Sequence, residues 1–169
     1  MARVPTKSAN NIWCKARLNA ACYDSRLLSR EGAAELLGMS VSAVADAELA
    51  NSKVMPVDKA VLMADLYNAP YLLNYYCLNE CPIGCDQPIS AEVHDIDKVT
   101  IKLLKALKID ELESLKDKLL DIAGSGDGEI PEDKVPDLQE VSAYLDNVAK
   151  IVSELRTITR MAIRGRKNE

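Results

Sequence analysis

Hydrophobic and polar positions along this chain recur mainly at helical spacing, three or four residues apart. In residues 10 to about 78 the pattern predicts five short helices. The first lies in "NNIWCKARLNAACYD", with Ile12, Trp13, Ala16, Leu18 and Ala20 on its apolar side. The second, in "SREGAAELLGM", takes Ser29 as N-cap, and Glu31 and Glu35 suit the positive helix start. Gly38 supplies a left-handed stop and Ser40 caps the third helix. Pro56 opens a fourth, "PVDKAVLMADLYN", where Val57, Val61, Leu62, Met63 and Leu66 keep helical spacing; "APYLLNYYCLNE" is the fifth.

The pattern then breaks. "CPIGCDQPISAEVHD" has two prolines, a glycine and no apolar period, as a linker would. From Ile96 amphipathic segments resume, with Leu112, Leu115, Leu119 and Ile122 at helical steps. "GSGDGEIPEDKVP" reads as a turn: it resembles part of a calcium loop but lacks the first carboxylate and the closing glutamate. The longest pattern follows. Leu138, Val141, Leu145, Val148, Val152, Leu155, Thr159 and Ala162 alternate steps of three and four, and Ile151 and Ile158 widen the stripe. The expectation is an all-α chain. Residues 1–80 are expected to form a five-helix domain, 81–95 a linker, and 96–169 a helical hairpin or coiled-coil-like dimerisation or effector domain that either folds on itself or pairs two copies of the chain.

Composition changes this picture little. The chain has no Phe and one Trp, so its core must come from aliphatic residues and Ala, which favours helix packing. No apolar run approaches the ~20 residues of a membrane span. The opening residues carry no apolar block of an export signal, and five cysteines without one predict a reducing, cytoplasmic setting.

Charge narrows the partners. The net charge is −5; residues 1–90 hold 8 basic and 9 acidic side chains, and residues 91–169 hold 13 and 17. Neither half is basic, so any contact with nucleic acid must rest on a local patch. One patch lies near the start: Arg3, Lys7, Lys15, Arg17, Arg26 and Arg30, against Asp24 alone before Glu31. The cations Arg156, Arg160, Arg164, Arg166 and Lys167 near the end suit a helix C-terminus.

Two short helices joined by a glycine turn, the second capped by serine, are the parts of a helix-turn-helix unit. From Ser29 the spacing runs Ser29, Arg30-Glu31, Ala34, Gly38, Ser40, Val44, Glu48, Lys53 and Pro56. This order resembles the lambda-repressor/Cro-like, or XRE-type, helix-turn-helix family over residues 10–75. The resemblance implies double-stranded DNA as a partner, with the third helix in the major groove. On a helical wheel Val41, Val44 and Ala47 face inward, and Ser42, Ala43, Ala45 and Asp46 face outward. Ser29 and Arg30 lie where a helix start can hold phosphate, and Asn51, Ser52 and Lys53 form a second clamp. Ser40 completes the set of DNA-contacting candidates.

The chain departs from the family pattern at three places. Arg30 stands where the family often has Gln, Ala47 where it has an aromatic, and Ala50 where it has Gly. Ala50 would strain a left-handed conformation, so a different local geometry is expected there. The outward face also lacks the Gln, Asn or Arg that makes bidentate base contacts.

Other chemistry is sparse. Cys77, Cys81 and Cys85 are four residues apart, with His94, the only histidine, nine further on. A Cys₃His zinc site is chemically possible, but thiols as small buried apolar groups are the plainer reading. No paired carboxylates, phosphate loop or nucleophile motif suggest an enzyme, and no cofactor is implied. The sequence thus points to a dimeric, sequence-specific transcriptional regulator. The alternative is a protein–protein adaptor or antitoxin-like module that keeps the same fold.

Overall fold

The structure is a computed structural model that describes residues 10–51, 55–124 and 130–165. Among these every long element is a helix and no strand is present. The helices are α1 (Ile12–Ala20), α2 (Arg30–Leu37), α3 (Val41–Leu49), α4 (Val57–Leu66), α5 (Tyr71–Asn79), α6 (Ile96–Ala106), α7 (Ile109–Gly124) and α8 (Val135–Gly165). Single 3₁₀ turns lie at Ser25–Leu28, Gly84–Asp86 and Glu132–Lys134. No described helix is long and apolar enough to cross a membrane. The chain divides into two compact units, one through Gln87 together with the part from Thr159 onward, the other Pro88–Ile158.

Local chemistry sets the helix ends of the first unit. The Asn11 side chain accepts from the Trp13 N–H at 2.8 Å and opens α1. Ser29 Oγ accepts from Gly32 N at 3.0 Å, and Ser40 Oγ from Ala43 N at 3.2 Å, so both expected serine caps are present. Gly38 stops α2 at φ 61°, in the left-handed region that only glycine enters without strain.

Alanine builds the core of this unit. Seven of its fifteen buried residues are Ala, which lets short helices approach closely around Trp13, Leu27, Met63 and Leu72. This decides which faces turn inward. On α4 it is Ala60, Met63 and Ala64 that are buried, while Val57, Val61 and Leu62 stay exposed. On α1 Leu18 is likewise exposed. Apolar size alone selected the wrong face at these four positions. Helical spacing holds, but the small residues make the tight contacts.

In the second unit Val99, Ala106 and Ile151 are buried, with Leu103, Val148, Leu155 and Ile158 packed around them. The buried seam of α8 runs Val141, Tyr144, Val148, Ile151, Leu155 and Ile158, all buried or half-buried. This corrects the expected stripe, since Leu145, Thr159 and Ala162 are exposed. Tyr144 fixes the seam's direction by donating its hydroxyl to the Ala106 carbonyl. α7 contributes no buried residue; Leu112 and Leu119 remain exposed, and Leu115 and Ile122 are half-buried.

The segment expected as a linker, 81–95, is shared between the units. Gly84–Asp86 turns within the first, whereas the extended stretch from Pro88 is strapped to α8, where Ser90 N donates to Ser153 Oγ at 2.8 Å.

Candidate nucleic-acid interface

The helix-turn-helix candidate is α2, the turn at Gly38–Ser40, and α3. Two inward contacts position α3. Val44 is fully buried, and so is Glu48, four residues on. Glu48 accepts from Arg17 Nε at 2.5 Å and Nη2 at 3.2 Å, and from Arg30 Nε at 2.7 Å. Arg17 also donates Nη1 to the carbonyls of Leu27 and Leu28, at 2.7 and 3.0 Å. One buried carboxylate thus ties α1, α2, α3 and the 25–28 turn together. A buried charge is tolerated only when it is paired and hydrogen-bonded, as this one is. Burial pushes the Glu48 carboxyl up, but the bonds from Arg17 and Arg30 outweigh it and hold it below the usual range. Burial, then the Glu48 charge, raises the neighbouring Cys14 thiol.

This arrangement revises the expected interface. Arg17, counted in a basic patch, is buried and internally paired. Arg26 is paired with Asp24 at 2.7 Å. Arg30 spends its Nε on Glu48 yet keeps 31% of its side chain exposed. Of the patch's other members, Lys15 is exposed, and Arg3 and Lys7 lie outside the described residues.

On α3 the exposed N-terminal turn consists of Ser40, Val41 and Ser42, with the two hydroxyls 3.0 Å apart. Val41, expected inside, is thus a surface residue. Ala43 and Asp46, expected outward, are half-buried and line a cavity behind the helix, and Ala45 and Ala47 are half-buried too. Ala50 does take the left-handed conformation, at φ 53° and ψ 39°, so the helix ends there without a glycine. Asn51 is exposed with its N–H on the Asp46 carbonyl at 3.1 Å. Ser52 and Lys53 lie outside the described residues. Ser29 is exposed at the start of α2.

Compared with known proteins, the chain matches no family model, no curated protein and no solved structure.

The cysteines and His94 take separate roles. Cys77 and Cys81 are half-buried and Cys85 is exposed, with its Sγ 3.2 Å from the Pro82 carbonyl. Burial, and then the nearby Cys81, pushes the Cys77 thiol up. His94 belongs to the second unit. There its Nδ1 is 3.1 Å from Glu154 Oε2 and its Nε2 is 3.5 Å from Glu92. Among the described residues, Glu92, His94 and Glu154 form the one convergent group of three with metal-ligand atoms. The Lys102 ammonium sits within it, 3.2 Å from His94 Nδ1 and from both Glu154 oxygens. That group therefore already has its cation. No spacing rule reveals these two networks, because their central carboxylates, Glu48 and Glu154, lie 18 to 60 residues from Arg17, Arg30, His94 and Lys102.

Proposed function

We propose that the chain is a DNA-binding transcriptional regulator, a binding protein rather than a catalyst, which docks the N-terminal turn of α3 in the major groove and acts as a dimer. One observation supports this above the rest. α3 is clamped from behind by Val44 and the buried Glu48, so its exposed start, Ser40-Val41-Ser42, is presented rigidly on a two-helix unit. Rigid presentation is what groove reading needs. Val41 suits contact with a thymine methyl, and Ser42 one hydrogen bond to a base edge. Arg30, whose Nε holds Glu48, keeps 31% of its side chain exposed, so its terminal nitrogens are available to a phosphate. With few base readers, sequence preference comes largely from DNA shape and half-site spacing.

Titration of the full chain into labelled duplex tests the proposal. Binding should weaken by tenfold or more between about 50 and about 200 mM salt, as counterion release requires. Ser42→Glu should remove it without lowering the unfolding midpoint. Duplex binding that is absent at low salt, or equal in Ser42→Glu, contradicts the proposal. The second reading, a protein-interaction module, is favoured by the exposed Val57, Val61 and Leu62 on α4. It would be supported by a stoichiometric protein partner in a preparation with no affinity for duplex.

A further inference from the structure

Behind α3 the first unit holds a partly open cavity of about 130 Å³. Its α3 wall is Ala43, Ala47 and Ala50, spaced by four and three on one helix face. Three short side chains in register leave a hollow that larger residues would fill. Across from them lie Trp13, Met55 and Met63, all buried. The Tyr75 ring completes this side, standing edge-on to Trp13 at 84° with centroids 6.3 Å apart. The volume is close to the roughly 150 Å³ that admits a benzene-sized guest in an enclosed apolar void. Thioether side chains adapt to the shape of such a guest, and edge-on rings recognise another ring.

The polar part of the lining lies at the mouth. Asp46, Lys59 and Glu80, the charged residues of the described lining, are all half-buried. Glu80 is oriented by the Met55 N–H at 2.8 Å. Two carboxylates against one ammonium make the charge of the described lining negative, so a positive group on the guest is favoured over a negative one. Apolar and aromatic side chains joined by a few polar groups are the usual lining of a small-molecule site.

We propose that this cavity binds a small aromatic molecule, its ring against Ala47 and the Trp13–Tyr75 pair, with a basic amine preferred at the mouth. The proposal stands apart from the DNA reading, because its test involves no DNA. The chain holds a single Trp, Trp13, so its emission reports on this cavity. The full chain is titrated with phenethylamine and, separately, with phenylacetate, following Trp13 fluorescence and the methyl NMR signals of Met39, Met55 and Met63. Phenethylamine should produce a saturable change, at least tenfold tighter than phenylacetate. Ala47→Phe should abolish that change while keeping the helical circular dichroism of the parent. If Ala47→Phe does not fold, Ala43→Leu fills the same hollow and serves instead. No saturable change with phenethylamine, unaltered binding in a folded filled variant, or equal affinity for the two probes overturns the proposal.

Discussion

Glu48 is the residue on which the first unit turns. It is the buried charge where three helices meet, and its removal would leave Arg17 buried and unpaired. Breaking one partner of such a pair costs about 3–5 kcal/mol. Glu48→Ala should therefore lower the unfolding free energy in urea by that order. The pH dependence follows from the same contacts. Glu48 titrates below the usual glutamate value when folded and at that value when unfolded. Its contribution is complete above the usual value and is lost as pH falls through the lowered folded one. Stability measured from neutral to acid pH should fall more steeply for the parent than for Glu48→Gln, which has no proton to take up. Identical slopes would show that this carboxylate carries no linkage. Neither partner was readable in advance: Glu48 fits the helix-turn-helix spacing, but Arg17 reads as one more surface cation until the fold brings it 2.5 Å away.

At the scale of the element, the C-terminal stops of α2 and α3 form a matched pair. Gly38 and Ala50 both sit in the left-handed region, at φ 61° and 53°. A Cβ at Gly38 would meet no atom within 4 Å, so Gly38→Ala costs conformation alone. It should destabilise by about 1 kcal/mol, and Ala50→Gly should stabilise by about the same amount. Thermal or urea midpoints of the two variants check this; shifts of the same sign would contradict it. The caps at Ser29 and Ser40 and the stop at Gly38 were legible because they are local hydrogen-bond and dihedral rules. The faces of α1 and α4 were not. Ala60 and Ala64 carry too little apolar area to stand out beside Val57, Val61 and Leu62, yet close packing selects them. On α8, the seam through Val141, Val148 and Leu155 was found, but Leu145 and Val152 compete for it in sequence. Tertiary contacts to α6, including Tyr144 on the Ala106 carbonyl, decide between them.

At the scale of the whole molecule, the two units differ in how much apolar surface they hide. The second has a far smaller core than the first, although both leave large apolar side chains more than 60% exposed: Leu104, Ile109 and Leu120 in the second, Tyr23, Leu28 and Ile83 in the first. Exposed apolar surface of this kind is what an interface between copies needs, and it supports the dimer in the proposed function. A two-fold dimer imposes two-fold symmetry on its DNA. In the proposed complex it would also offset the few base contacts per copy, since two weak half-sites bound together gain through effective concentration. Selection of bound duplexes from a random pool by the full chain tests both parts at once. The account predicts enrichment of a two-fold symmetric sequence whose half-sites lie about 10 base pairs, or a multiple of that, apart. A pool that stays random after repeated selection at low salt would contradict it.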